Sequence, residues 1–328
     1  MGFKIGDIEF TERAVFLAPM EDVTDASFRY ICKEFGADMM YTEFVSSDGL
    51  VHNAQKSFDK MQVYDYERPI GIQIYGHLPD AMVEAAKFAE EYKPDLIDIN
   101  FGCPVNKIAK RGAGSGMMRY PEKMLEITRK VVEAVKLPVT VKTRLGWDEN
   151  SLIITELAEQ LQDCGIKALT IHGRTRCQMY KGSADWSLIG EVKRNPRIKI
   201  PIIGNGDIVD GSSAKRAFDD YGVDAIMVGR ATYGHPWIFR EIKYYLEHGE
   251  QMPPLTVKEK VELAKKHYAK SIEVKGDRRG MFEMRRHLSN YFKALPDFQE
   301  TRMKLVTETD PVKVVETLNY VAQRWGDM

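Results

Sequence analysis

The chain has 328 residues, of which 44% are hydrophobic and 29% charged, with a formal net charge of −1. This mixture excludes collagen, coiled-coil and globally disordered readings, and no apolar run approaches the roughly 18 residues of a membrane helix. The length suits two domains, or one large α/β barrel with an appendage.

The N-terminus carries Lys4, Asp7 and Glu9 where a secretory signal needs an apolar core. Gly6 stands where an N-myristoylation signal would place Ser or Thr. A cytoplasmic protein is therefore expected. Lys4–Arg13 reads as a short hairpin or cap beneath the following fold.

Eight short apolar runs come next: 15–18, 39–42, 70–74, 96–100, 139–142, 168–172, 202–204 and 225–228. Most are β-branched and only four or five residues long, as buried parallel strands are. Amphipathic stretches separate them. In 151–164, Ile154, Leu157, Ala158 and Leu161 share a face; in 210–221, Ala214, Ala217, Phe218 and Tyr221 do so. Residues 44–69 are the least regular connection. Eight strand–helix units in this length predict an α/β fold, a (β/α)8 TIM barrel, over residues 1–245. A doubly wound sheet would usually have fewer strands.

Met252-Pro253-Pro254 breaks the pattern. Beyond it, 256–273, 279–294, 298–306 and 310–325 read as helices, so residues 246–328 form a small all-helical C-terminal domain. Asp310-Pro311 supplies an N-cap and a proline at the first helical position. Val314, Val315, Leu318, Val321, Ala322 and Trp325 supply a core stripe. Residues 258–304 hold thirteen Lys/Arg against seven Asp/Glu, a net +6 against −7 in the rest of the chain. Either this is a solvated helical face or the segment meets an anionic partner.

The four cysteines, Cys32, Cys103, Cys164 and Cys177, are too few for a disulfide scaffold and form no C-x-x-C pair. No metal site is expected. Walker A, H-E-x-x-H and post-strand G-x-G-x-x-G motifs are also missing.

Catalytic groups in such barrels lie at the C-terminal strand ends. Here those ends read Pro19-Met20-Glu21, Glu43, Gln73, Asn100, Lys142, His172, Asn205-Gly206-Asp207 and Gly229-Arg230. A ring this polar is hard to explain as packing. The last two loops follow strands seven and eight, where barrels of this kind bind phosphate; plain turns are the competing explanation. Lys142 ends an apolar strand and needs an anionic partner. The candidates are a flavin ring edge, Glu43 or Asp98. Cys32 and Cys164 read as small buried hydrophobes. Cys103 lies between Gly102 and Pro104 over the barrel mouth, so its thiol is either another such hydrophobe or a proton donor. Lys107, Lys110 and Arg111 form a basic rim, which Arg174, Arg176 and Lys181 extend.

Leu17-Ala18-Pro19-Met20, Asn100-Phe101-Gly102-Cys103-Pro104, Gly112-Ala113-Gly114, Lys142-Thr143-Arg144, Thr170-Ile171-His172-Gly173-Arg174-Thr175, Gly204-Asn205-Gly206-Asp207 and Val228-Gly229-Arg230 occur in this order. In this the chain resembles the tRNA-dihydrouridine synthases. Trp237-Ile238-Phe239-Arg240-Glu241 and Arg285-Arg286-His287-Leu288 look most like the bacterial B-type branch. The resemblance spans nearly the whole chain.

It implies an FMN-binding barrel, a helical tRNA-binding domain, and NADPH-dependent reduction of a uridine C5=C6 bond. Carried over by position, Pro19, Met20, Glu21, Gln73, Lys142, His172, Asn205, Gly206, Asp207, Gly229 and Arg230 would hold FMN. Flavin N5 would deliver hydride to C6 and Cys103 would protonate C5 from the opposite face, once the base has left its stack. Asn100, Lys107, Arg174, Arg285 and Arg286 would contact the substrate. No membrane, metal or obligatory protein partner is implied.

One departure is Glu21-Asp22, where many members have Ala-Gly. Contact with FMN through the backbone would tolerate it, whereas a Glu21 carboxylate aimed at the flavin would oppose the reduced anion. A free-pyrimidine or dihydroorotate-type flavin dehydrogenase is the alternative, and it leaves the basic helical segment without a use. A catalytically silent RNA-binding barrel is a third reading, against which Cys103 and Lys142 both stand.

Overall fold

The protein is described by a computed structural model covering residues 2–326 and 328. Phe3–Ile5 (β1) and Ile8–Phe10 (β2) pair antiparallel, the expected hairpin. Ile5 and Phe10 are buried among Phe16, Leu96, Ile203 and Met227, so the hairpin plugs the N-terminal end of the barrel. Truncating the fully buried Ile5 to Ala would cost about 2–5 kcal/mol.

The remaining strands are Ala14–Leu17 (β3), Met40–Tyr41 (β4), Val45–Ser46 (β5), Ile70–Tyr75 (β6), Leu96–Asn100 (β7), Val139–Arg144 (β8), Leu169–His172 (β9), Ile202–Asn205 (β10) and Ala225–Val228 (β11). Their order is β3-β11-β10-β9-β8-β7-β6-β4, every pair parallel, with β5 added on β6. A parallel bridge between Phe16 and Met39 and a hydrogen bond from Leu17 N to Met39 O (2.9 Å) join the two ends. The (β/α)8 barrel is therefore as expected, and all eight runs form its staves.

Boundaries moved where pairing decided them. β8 continues two residues past Lys142 because Arg144 is in register with His172 of β9. Strand alternation then puts Lys142 and Arg144 on one side of the sheet.

The helices are Ala26–Glu34 (α1), Ser47–Val51 (α2), Gln55–Asp59 (α3), Pro79–Glu91 (α4), Asn106–Ala109 (α5), Pro121–Ala134 (α6), Ile154–Asp163 (α7), Ser187–Arg194 (α8), Gly211–Tyr221 (α9), Ile238–His248 (α10), Val257–Lys275 (α11), Asp277–Tyr291 (α12), Gln299–Thr307 (α13) and Pro311–Trp325 (α14). α7 buries Ile154, Leu157, Ala158 and Leu161, the face its spacing predicts. The irregular 44–69 connection is held by Glu67, which accepts from Arg29 of α1 at 2.7 and 3.0 Å in a fully buried pair.

Residues 249–256 form no helix or strand. α10 runs to His248, three residues past position 245: Ile238, Phe239 and Ile242 anchor it in the barrel core, and Leu246 packs against the same cluster. α11 opens with Thr256 accepting from Glu259 N, and α14 with Asp310 accepting from Val312 N. α11–α14 build a second core around Val261, Met284, Leu288, Phe292, Leu318 and Trp325, which Ile31 of α1 and Trp237 join from the barrel side. Among the described residues, no helix is long and apolar enough to cross a membrane. All four cysteines are free.

Candidate active site at the mouth of the barrel

The C-terminal ends of β6 and β7 carry a connected set of buried amides. Gln73 Nε2 donates to Asp98 at 2.6 Å, and Asn100 Nδ2 donates to Gln73 Oε1 at 2.8 Å. Asn100 Oδ1 accepts from the backbone N–H groups of Gly102 and Cys103, both at 2.9 Å. The Cys103 carbonyl accepts from Ser115 N at 3.1 Å and Ser115 Oγ at 2.7 Å. Gly114 permits that clasp: it has φ +52°, and a Cβ there would come within 3.0 Å of the Cys103 carbonyl oxygen. The thiol is buried. Burial pushes its pKa up, partly opposed by the Val105 amide and the Arg144 charge, so it stays protonated at neutral pH.

Lys142 Nζ donates to Asn205 Oδ1 at 3.1 Å, and Asn205 Nδ2 donates to Met227 O at 2.7 Å. Neither Glu43 nor Asp98 takes Lys142 as a bonded partner: Glu43 lies 3.8 Å from Lys60, while Asp98 accepts from Gln73 and Thr140. Burial and Arg144 lower the Lys142 pKa to about 8, with Asp98 opposing.

Arg144 is only 2% exposed. It donates to the carbonyls of Gly102 (2.7 Å), Thr175 (3.0 Å) and Met179 (2.9 Å), tying the Cys103 loop to the loop after β9. His172 is buried. Burial, then Arg144, Lys142, Arg174 and Arg230, hold its pKa well below the usual range, so its ring is neutral.

Asp207 accepts from Arg174 (2.7 Å) and Arg230 (3.1 Å). Gly206, at φ +124°, makes the turn beneath it, where a Cβ would come within 3.0 Å of the His172 ring. Tyr180 faces both guanidinium groups, at 5.6 Å from Arg144 and 4.9 Å from Arg230. Four cations thus surround His172, with Asp207 the carboxylate bonded among them. Such a positive surplus beside Gly-bearing loops fits a phosphate and a ring that gains negative charge, as a phosphorylated flavin does.

Pro19 and Met20 follow β3 half-buried, and Gly229 and Arg230 follow β11 beside them, since Ala18 N donates to Val228 O at 2.9 Å. Glu21 pairs with Lys60. Asp22, at φ +59°, donates its N–H to Glu43 Oε1 at 2.6 Å.

The basic residues divide. Lys107 is exposed on α5. Arg174, expected on the rim, lies beneath it at 2% exposure because its guanidinium binds Asp207 and the carbonyls of Lys181 and Gly182. Arg285 donates to the carbonyls of Thr307 and Glu308, closing the end of α13. Arg286 reaches across to the carbonyl of Asp22, and Arg279 lies 3.8 Å from Asp59, so this face of α12 is turned to the barrel loops. Arg278 is exposed on the adjoining strip.

Arg144, Tyr180 and Asp98 join the site only in the folded structure. The period-2 alternation from Lys142 to Arg144 and from Asn100 back to Asp98 was the available signal for two of them; Tyr180 lies in a loop without one.

The chain matches the dihydrouridine synthase family over residues 16–324. It is 40% identical over 316 residues to a probable tRNA-dihydrouridine synthase of Rickettsia prowazekii, covering 96% of each chain. It is 42% identical over 300 residues to tRNA-dihydrouridine synthase B of Proteus vulgaris, covering 91% of this chain and 92% of the relative. Its fold resembles that of morphinone reductase, with a TM-score of 0.54 at 14% identity over 77% of this chain and 92% of that one. With that matched span enclosing both the barrel mouth and the helical bundle, the chain belongs to the dihydrouridine synthase family.

Proposed function

We propose that the chain is a flavin-dependent tRNA-dihydrouridine synthase of the bacterial B-type branch, which reduces the uridine C5=C6 bond in cytoplasmic tRNA with FMN as cofactor and NADPH as reductant. The observation that carries this reading is the buried free thiol of Cys103, whose backbone Asn100 and Ser115 hold at the same barrel mouth as Lys142, Arg144 and Arg230. When bound, FMN supplies the hydride for C6. Cys103 holds the proton for C5, and Asn100 and Ser115 fix the loop on which it sits. Lys142 meets the flavin ring edge, while Asn205, Gly206, Asp207, Gly229 and Arg230 form the phosphate end. Pro19, Met20, Gln73 and the neutral His172 line the ring. Glu21, paired with Lys60, meets the cofactor through its backbone.

The barrel through the end of α10 at His248 is the catalytic domain and the bundle from α11 onward the tRNA-binding domain, which puts the boundary in residues 249–256 rather than at 245; the separate apolar clusters of barrel and bundle, with Leu246 in the first, support this division. Lys107 and Arg278 contact tRNA from the exposed surface, and Arg286 from the seam where it also meets Asp22. Arg174 and Arg285 act from beneath, holding the loops that meet it.

The test is incubation of purified protein with unmodified tRNA and NADPH or NADH, followed by mass-spectrometric mapping of dihydrouridine. A yellow protein releasing FMN and forming dihydrouridine is expected. Turnover of free pyrimidines with tRNA untouched would favour the dehydrogenase reading, and a colourless protein that only binds RNA the silent barrel.

A further inference from the structure

The side chain of Asp98 lies one hydrogen bond beyond Gln73, on the side away from the Cys103 loop. It is 1% exposed and accepts from Gln73 Nε2 at 2.6 Å and Thr140 Oγ1 at 2.5 Å. From there the chain of bonds runs without a break through Gln73 Oε1 and Asn100 Nδ2 to Asn100 Oδ1, and so to the amides of Gly102 and Cys103.

The polarity of this chain is determined at both ends. A carboxylate can only accept, and backbone N–H groups can only donate. A primary amide can do either, and turns to suit its neighbours. Asp98 therefore obliges Gln73 to present its nitrogen inward and its oxygen to Asn100. Asn100 must then present its nitrogen to Gln73 and its oxygen to the Cys103 loop. Reversing Gln73 would set a carbonyl against the carboxylate and an amino group against an amino group, leaving buried polar groups unmatched.

We propose that Asp98 is a positioning residue for the Cys103 loop, acting through the oriented amides of Gln73 and Asn100. Burial raises its pKa to about 6, opposed by Thr140, Gln73 and Lys142, so the carboxylate is ionised at neutral pH and its role as acceptor holds. The inference rests on the proposed reading only in taking Cys103 as the group that must be placed.

The decisive variant is Asp98→Asn, which preserves shape but can face Gln73 with either end. Thr140→Val is the structural control: it removes a bond to the same carboxylate and leaves the polarity of Gln73 intact. Three readouts are compared: Cys103 alkylation by iodoacetamide, followed by peptide mass spectrometry; flavin reduction by NADPH; and reoxidation of the reduced protein by tRNA. Asp98→Asn should change the alkylation rate at least threefold and slow tRNA-dependent reoxidation about tenfold, a larger effect than on flavin reduction, which the variant also reaches through Gln73 and Lys142. Thr140→Val should alter each by less than threefold. Equal effects of the two variants, or an Asp98→Asn protein that alkylates like wild type, would overturn the proposal. If Asp98→Asn does not fold, Asn100→Asp tests the same chain, since it still accepts from the loop but cannot donate to Gln73; wild-type alkylation there also overturns it. A wild-type protein inactive on tRNA would refute the functional reading instead, and the alkylation comparison would still decide the relay.

Discussion

Arg174 and Asp207 pair at 2.7 Å below the barrel mouth, and the second oxygen of the same carboxylate accepts from Arg230 at 3.1 Å. One residue thus aims two guanidinium groups, from the loops after β9 and β11, at a common space. Arg174 is buried by the arrangement, whereas Arg230 remains half exposed and available to a ligand.

Arg230→Ala should weaken FMN retention by roughly ten- to hundredfold, since a charged hydrogen bond to a phosphate contributes about 1.5–3 kcal/mol. Equilibrium dialysis of FMN against wild type and variant measures this. Unchanged affinity would remove Arg230 from the phosphate end.

Cys103→Ala should keep flavin content and NADPH oxidation but lose about 10²–10⁴ in the rate of uridine reduction, the usual contribution of a positioned general acid. The raised thiol pKa sets the sign with pH. Activity should hold through neutrality and fall on the alkaline side as the thiol gives up its proton. Dihydrouridine formation measured across alkaline pH checks both points.

The exposed and the engaged basic residues should behave differently. Lys107→Ala/Arg278→Ala should weaken binding of fluorescent tRNA and lower the magnitude of the log–log salt slope by roughly 0.7–0.9 per lost phosphate contact. Arg285→Ala should chiefly reduce thermal stability, by about 1 kcal/mol, because its guanidinium closes α13. A salt slope that is unchanged in the double variant would leave the +6 of residues 258–304 as a solvated face.

His287 makes stability pH-dependent. Burial, Lys275 and Arg286 lower its pKa to about 4, against Asp25 and Glu283. The unfolded chain binds this proton near the ordinary value of about 6.5, so stability is full above that pH and lost as pH falls toward 4. The loss is on the order of 3 kcal/mol, at roughly 1.4 kcal/mol per pH unit. Urea midpoints measured from neutral to acid pH should drop accordingly, and His287→Gln should flatten the part due to this residue.

Much of the architecture was legible from local chemistry. Short β-branched runs separated by amphipathic stretches are what a parallel barrel requires, and the Asp310-Pro311 cap and the Val314–Trp325 stripe are properties of adjacent residues. Local pattern was equally sufficient to mark the polar strand ends. The motifs around Cys103, Lys142, His172 and Arg230 identified the family, because each lies within a few consecutive positions.

Partnership across the barrel was beyond the reach of any such pattern. Arg29 and Glu67 are 38 positions apart, and Gln73 and Asp98 are 25 apart. Nothing local tells a lysine at a strand end that its bond will go to Asn205 rather than Asp98, or an arginine after β9 that it will be buried. Strand register decides these pairings by setting which side chains stand at one height. Composition and periodicity determined the barrel, its helical appendage and the residues at its rim. Only tertiary closure, which brings distant acceptors within about 3 Å of particular donors, decided which of those residues bind one another and which remain free for a substrate.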